Sequence, residues 1–252
     1  CIVGATATVG QPDPLIGVIV DVSDVLCYGY SDGSILVDAA GGTGYYTFDI
    51  GAGPQLYGAF TDLPALDYEI VIMDQNSCQD TLNLTVDEPP ILDASVIGIT
   101  NVMCAGEAIG SFEIEAMGGS PDYLYSIGNG AMPSGLFAGL YGGTYDVLIT
   151  DDHTCQLIVE VEVDLPEPIV IAIGAPVSTF CSGEEITLST SVLGGVLPYS
   201  FEWFEVMGSD TNTVSTDSIP NLTLSETTIY FLEVTDANDC SVTSFDVLIN
   251  VY

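Results

Sequence analysis

The sequence predicts an all-β protein built as a tandem array of β-sandwich modules, and three observations carry that prediction. One motif, a Tyr, five residues, an Asp, three residues and a Cys, occurs three times: Tyr68, Asp74, Cys78; Tyr145, Asp151, Cys155; Tyr230, Asp236, Cys240. The cysteines recur at a fixed step, 77 residues from Cys27 to Cys104 to Cys181 and 77 again from Cys1 to Cys78 to Cys155. Around each motif apolar and polar residues alternate with the period of a half-buried strand, and no segment has a helical pattern of useful length. A fixed period of this size marks an array of like units, so fold and function belong to the unit.

Residues 1–15 match the end of a unit: Cys1-Ile-Val-Gly-Ala-Thr-Ala-Thr-Val parallels Cys78-Gln-Asp-Thr-Leu-Asn-Leu-Thr-Val. They read as the closing strand of a preceding repeat, and the chain as a window on a longer array. Units then run over 16–92, 93–169 and 170–252, the third carrying an eight-residue insertion because Cys155 to Cys240 spans 85 residues. Each opens with a strand (18–25, 95–102) that leads to a cysteine and a Gly-bearing loop. A second strand follows, with Ile35, Val37 and Ala39, or Phe112, Ile114 and Ala116, on one face. The pairs Gly41-Gly42, Gly118-Gly119 and Gly194-Gly195 mark turns that need positive φ.

An aromatic strand comes next: Tyr46, Phe48, Ile50; Tyr123, Tyr125, Ile127; Tyr199, Phe201, Trp203. A spacing of two puts each trio on one face, and its recurrence in every unit makes it core rather than a sugar-stacking strip. Leu63 or Leu140, a turn and then the motif Tyr resemble the tyrosine corner of Greek-key sandwiches. The modules are therefore expected to be immunoglobulin-like, with Tyr68, Tyr145 and Tyr230 structural. In the closing strand Val159, Val161 and Val163 point inward and Glu160, Glu162 and Asp164 outward, and Pro-rich stretches at 88–90 and 165–168 serve as stiff linkers.

The 252 residues hold 36 acidic side chains, no Lys or Arg and one His, a net charge of −36. Such a surface repels nucleic acid and anionic membrane and draws cations. No apolar run reaches the roughly 18 residues of a membrane span, so no membrane insertion is expected. An enzyme reading fails on inventory: no cationic side chain can stabilise an oxyanion or phosphate, and no Gly-rich loop opens a helix. His153 reads as a solvated turn residue.

Seven cysteines at regular spacing, without a C-x-x-C pair, indicate an oxidising compartment and disulfides rather than thiolate metal sites. Within-unit pairs Cys27–Cys78, Cys104–Cys155 and Cys181–Cys240 are expected, with Cys1 left for the preceding unit. Pairing across adjacent junctions is the alternative. No cofactor is required, but the turn carboxylates Asp151 and Asp152, and Asp236, Asn238 and Asp239, are the candidate ligands for calcium, which takes six to eight oxygens. Asn83 and Asn221 lie in N-linked sequons, while Asp80-Thr81-Leu82 and Asp217-Ser218-Ile219 resemble the O-glycan acceptor of Bacteroidota at Thr81 and Ser218.

With these residues in view, the first two units resemble the SprB-repeat family of long surface adhesins in gliding Bacteroidota. Cys27-Tyr-Gly-Tyr-Ser-Asp-Gly-Ser, Gly41-Gly42, Tyr46-Thr-Phe48 and the stretch Tyr68 to Cys78 carry the likeness in the first. Cys104-Ala-Gly, Gly118-Gly119, Tyr123-Leu-Tyr125 and Thr150-Asp-Asp-His-Thr-Cys155 carry it in the second. The third, with Cys181-Ser-Gly-Glu-Glu-Ile-Thr-Leu and Val234-Thr-Asp-Ala-Asn-Asp-Cys240, is similar to PKD-like immunoglobulin-type modules. The resemblance implies an extracellular, type IX secreted rod acting in adhesion, gliding or surface structure, with no catalytic residues. Its expected partners are neighbouring copies or further repeats, and surface glycans under the alternative that one module grips a ligand.

Overall fold

The structure, a computed structural model, describes residues 4, 6, 7, 9–174 and 179–252, and among these no helix forms. The chain divides into two compact units: residues 1–95, 115–134 and 148–159, and residues 96–114, 135–147 and 160–252. Cys1 lies outside the described residues, so its expected pairing does too. None of the described residues before Ile16 is in a strand.

The first compact unit contains the whole first repeat. Its strands are β1 (Ile16–Ser23), β2 (Gly33–Ala40), β3 (Tyr46–Asp49), β4 (Ala59–Leu63), β5 (Leu66–Asp74) and β6 (Gln79–Val86). They form two sheets, β1-β2-β4 and β3-β5-β6, the order of an immunoglobulin-type sandwich. Alternation decides the faces. On β2, Ile35 and Val37 are buried and Leu36 and Asp38 exposed. Their core partners come from β4 (Phe60, Leu63) and from the other sheet, where Phe48, Ile70, Ile72 and Val86 project inward. Tyr46 and Ile50 are half-buried at the edge of this cluster, so the predicted aromatic face is core.

The second repeat has the same strand order: β7 (Asp93–Thr100), β8 (Gly110–Met117), β9 (Leu124–Ser126), β10 (Leu136–Leu140), β11 (Gly143–Thr150) and β12 (Gln156–Val163). Its sheets are β7-β8-β10 and β9-β11-β12. Phe112, Ile114, Tyr125, Val161 and Val163 are buried, and Val147 and Ile149 have no exposed surface.

The third repeat, in the second compact unit, runs from β13 (Val170–Gly174) through β14 (Thr179–Phe180), β15 (Glu185–Thr187), β16 (Ser189–Leu193), β17 (Ser200–Met207), β18 (Asp210–Ser215), β19 (Asn221–Thr223), β20 (Thr228–Thr235) and β21 (Ser241–Thr243) to β22 (Val247–Val251). Its large sheet is ordered β14-β22-β20-β17-β18, with β21 also on β20. The extra residues go into β17 and β18, a hairpin in which Met207 faces Asp210. Trp203 is fully buried among Leu188, Leu232 and Ile249, and its indole N–H donates to Asp217 O at 3.1 Å.

The tyrosine corner forms in two of three repeats. Tyr68 donates to Pro64 O and Tyr145 to Tyr141 O, both at 2.8 Å. Tyr230 instead donates to the carboxylate of Glu205, its register partner on β17, at 3.2 Å. Burial, then the adjacent Glu205 charge and hydrogen bond, push its phenol up to about 12.

Candidate functional site

The repeated motif builds one structure three times, a tight turn clamped by its own aspartate. In Asp74 to Cys78, Asp74 N donates to Cys78 O and Ser77 N to Asp74 O, both at 3.0 Å. The residue before each cysteine is left-handed: Ser77 at φ 65°, Thr154 at 67° and Asp239 at 63°. This is a type I turn closed by a bulge, a form that favours Gly at the left-handed position. No repeat has Gly there, and the β-branched Thr154 carries the largest steric penalty. Thr154→Gly is therefore expected to stabilise the protein by about 1 kcal/mol, seen as a higher denaturant midpoint with an unchanged slope.

The aspartate carboxylate satisfies the turn from inside. Asp74 Oδ1 accepts from Asn76 N and Cys78 N at 2.9 Å, and Oδ2 accepts from Thr43 N at 2.8 Å and the Thr43 hydroxyl at 3.1 Å. Asp151 accepts from Cys155 N at 2.8 Å and Ser120 N at 2.9 Å. Asp236 accepts from Asn238 N at 2.8 Å, Val196 N at 2.9 Å and Cys240 N at 3.0 Å. Burial alone would raise the Asp74 carboxyl, but the N–H groups of Cys78, Thr43 and Asn76 and the Thr43 hydroxyl outweigh it and hold it below the usual carboxylate range. The same balance holds Asp236 down, through Val196, Cys240 and Asn238.

Thr43, Ser120 and Val196 each follow a Gly-Gly pair, which explains the pairs more fully than a turn does. Gly42 N donates to Asp13 O at 2.9 Å, Gly119 N to Pro90 O at 2.8 Å and Gly195 N to Glu167 O at 2.7 Å. A Cβ on Gly41, Gly118 or Gly194 would collide with the carbonyl of Pro14, Ile91 or Pro168. The first Gly's own carbonyl accepts the hydroxyl of Tyr46 (2.7 Å), Tyr123 (2.6 Å) or Tyr199. Each Gly-Gly turn thus fastens the proline-rich segment ahead of its repeat to the aspartate turn of the same repeat.

The disulfides differ from every expected pair. Cys27 bonds Cys155, with Cα atoms 5.7 Å apart, and Cys104 bonds Cys240 at 5.5 Å. Cys78 and Cys181 are free and exposed. The expected Cys27–Cys78 link fails on reach. Val25 N bonds Asp87 O at 2.9 Å, so Cys27 lies at the pole where β6 ends, whereas Cys78 precedes its first residue. Eight residues of strand separate these poles by about 27 Å, far beyond the roughly 7 Å limit between bonded Cα atoms. Cys104–Cys155 and Cys181–Cys240 are likewise displaced, because Cys155 and Cys240 bond cysteines of the preceding repeat. Each bridge lies within one compact unit.

A polar contact accompanies each bridge. His153 Nδ1 lies 3.3 Å from Leu26 O and 2.9 Å from Ser120 Oγ, and the Asn238 amide donates to Met103 O at 3.2 Å. Both residues sit two past the motif Asp, and both carbonyls immediately precede the bonded cysteine. His153, expected as a solvated turn residue, is exposed but belongs to this junction.

The expected calcium ligands are not brought together as a ligand set. Asp151 and Asp236 turn their oxygens toward N–H donors, Asp152 is exposed, Asn238 spends its amide on Met103 O, and Asp239 lines a cleft beside the Cys104–Cys240 bridge. Among the described residues no group of three or more His, Cys, Asp or Glu could hold a metal ion. The glycosylation candidates Thr81 and Asn83 on β6, Ser218 in a loop and Asn221 on β19 are all exposed. The side-chain Oδ1 of Asn221 already accepts from the Thr187 hydroxyl at 2.6 Å.

Immunoglobulin-like sandwiches whose turns are cross-linked from one repeat to the next define the class, a multi-module all-β repeat protein. The model of the SprB repeat family matches residues 19–54, within the first repeat, and again 97–132, within the second. Solved structures similar to the chain include the N-terminal eight Ig domains of Down Syndrome Cell Adhesion Molecule, at 8% identity over 94% of this chain and 36% of that one, TM-score 0.41. The fibronectin(III)-like modules of Clostridium thermocellum CbhA are similar at 9% over 63% and 95%, TM-score 0.31. Domains 4–9 of surface layer protein SbsC follow at 13% over 96% and 48%, TM-score 0.29. The chain thus spans about a third of the first of these. No curated protein matches the chain. Among the described residues, no helix is long and apolar enough to cross a membrane.

Proposed function

We propose that the chain is a non-enzymatic structural and adhesive segment of an extracellular filament, stalk or adhesin, made of two SprB repeats and a third, PKD-like module. The observation that supports this most is the stagger of the disulfides. Each ties the loop of one repeat to the turn of the next, which strengthens a series of modules. Disulfides also belong to an oxidising exterior, and the secretion route of SprB-type proteins, type IX, fits that address. Calcium enters as a counterion: at a net charge of −36, lateral association needs divalent screening, so bundles should form with calcium and disperse with chelator. Antibody labelling of intact source cells tests the location. Signal before permeabilisation is expected, and signal only after it would overturn the reading.

One observation favours a second reading, a glycan- or surface-binding role for the first repeat. Tyr45, Tyr46, Leu56 and Tyr57 line an open groove with Asp38 beside them, and Tyr45 and Tyr57 are 60% and 80% exposed. The second repeat has Asp122 and Ser134 where Tyr45 and Tyr57 stand, so the aromatic cluster is not an architectural requirement. Binding on a glycan array that disappears in Tyr57→Ala would establish this role, and an array without signal would remove it.

A further inference from the structure

We propose that Asn129 is a site of spontaneous covalent modification, converted to iso-aspartate by attack of the Gly130 main-chain nitrogen on its side chain. Asparagine is thermolabile, but the reaction needs an exposed side chain followed by a nitrogen that is both uncrowded and unbonded. Most asparagines of the chain precede Leu, Val or Thr, whose branched side chains crowd that nitrogen. Asn76, Asn129 and Asn238 do not, and two of these three are held. Ser77 N donates to Asp74 O at 3.0 Å and Asp239 N to Asp236 O at 3.2 Å. The Asn76 amide donates to the Thr43 hydroxyl at 2.7 Å and the Asn238 amide to Met103 O at 3.2 Å. Asn129 is exposed, and among the described residues neither its amide nor the Gly130 N–H has a hydrogen-bond partner.

The first repeat holds the same loop in an unreactive form. Phe48 and Gln55 close it there through N–H to carbonyl bonds of 2.8 and 2.9 Å, and Tyr125 and Met132 close it in the second repeat at the same two distances. Gly51 and Gly53 take φ of 99° and 106°, Gly128 and Gly130 of 98° and 106°, a region that glycine enters freely and a residue with a Cβ does not. The loop therefore requires Gly at 130, and Asn129, standing where the first repeat has Ala52, completes a pair whose nitrogen no side chain shields. Asp49 Oδ1 accepts from Gly51 N at 2.7 Å and from Gly53 N at 2.9 Å. Its counterpart Ser126 accepts from Gly128 N alone, at 3.1 Å. The acceptor that ties down the nitrogen in the first repeat is missing from the second.

The step is a displacement followed by hydrolysis, with no change of oxidation state. The Gly130 nitrogen loses its proton and bonds Asn129 Cγ, the Cγ–Nδ2 bond breaks, and ammonia leaves with the proton. Water then opens the cyclic imide. Addition at the main-chain carbonyl gives iso-aspartate and addition at Cγ gives aspartate, so one water is consumed and one ammonia released. Either product adds a carboxylate, and iso-aspartate lengthens the main chain by one carbon inside the loop. The second repeat thereby records the age of the molecule, which the first, with Ala52, does not.

The test is to age the purified full chain in mildly alkaline and mildly acidic buffer. Iso-aspartate is read by transfer of a labelled methyl group from S-adenosylmethionine by an isoaspartyl carboxyl methyltransferase, and located by mass spectrometry of chymotryptic peptides. Label is expected in the peptide containing Asn129 severalfold faster than in those containing Asn76 or Asn238, and faster at alkaline pH, where the attacking nitrogen loses its proton more readily. Asn129→Ala should remove it. Ser126→Asp, which supplies the acceptor of the first repeat, should slow it severalfold, and Ala52→Asn should react more slowly than Asn129 because Asp49 holds Gly53 N. An Asn129 that stays intact, a rate no higher than at Asn76 and Asn238, or equal rates in the wild-type chain and Ser126→Asp would overturn the proposal. Recovery of Cys27–Cys155 and Cys104–Cys240 in the same digest verifies folding of each variant.

Discussion

Pulled from its ends, the oxidised chain is expected to extend to roughly 320 Å and the reduced chain to roughly 900 Å, at about 3.3–3.6 Å per residue. The difference follows from how the two bridges interlock. The shortest covalent route runs from residue 1 to Cys27, crosses to Cys155, returns along the chain to Cys104 and crosses to Cys240. Most of the polypeptide is therefore shielded from load even after every sandwich has unfolded. Removing one bridge by Cys27→Ser should lengthen the limit to roughly 400 Å. Force spectroscopy with and without reductant measures all three, and release of the full length under oxidising conditions would refute the cross-repeat pairing. Each bridge spans a separation above 125 residues, so in the chain-entropy model each adds about 5 kcal/mol at equilibrium.

Loss of an aspartate clamp is expected to cost nearly as much as loss of a bridge. Asp151→Ala leaves Ser120 N and Cys155 N without their acceptor in a turn where the carboxylate is 4% exposed, a cost of about 3 kcal/mol. An exposed Asp210→Ala control should stay within about 0.5 kcal/mol. Because Cys155 is held by that clamp, the Cys27–Cys155 bridge should become the more readily reduced while Cys104–Cys240 keeps its resistance. The clamp also sets the acid limit. Asp74 and Asp236 have folded-state values below the unfolded one, so their contribution is complete above about pH 4 and is lost as pH falls through the lowered values. Repulsion among the acidic side chains changes in the opposite sense, easing as pH falls. Stability measured against pH should therefore peak near pH 4–5 and fall steeply below; a peak at neutral pH would contradict the balance.

The repeat, the strands and their faces are legible in residue order alone. Side chains alternate across a strand with period two, so Ile70 and Ile72, Phe112 and Ile114, and Val161 and Val163 declare the buried side wherever the strand is placed. Local spacing also sufficed for Tyr68 and Tyr145, whose hydroxyls reach carbonyls only four residues upstream. It did not suffice for Tyr230, whose hydroxyl goes to Glu205, the residue opposite it on β17. Partners across long separations emerge with the fold. A period says which cysteines are equivalent, not which are adjacent, and a full-length β1 sends Cys27 to the pole away from Cys78. The motif Asp likewise looked like a cation ligand or a simple turn cap. Its second oxygen is claimed by the N–H after a Gly-Gly pair 31 residues earlier in the first two repeats and 40 in the third, a neighbour that strand pairing supplies and spacing does not reveal.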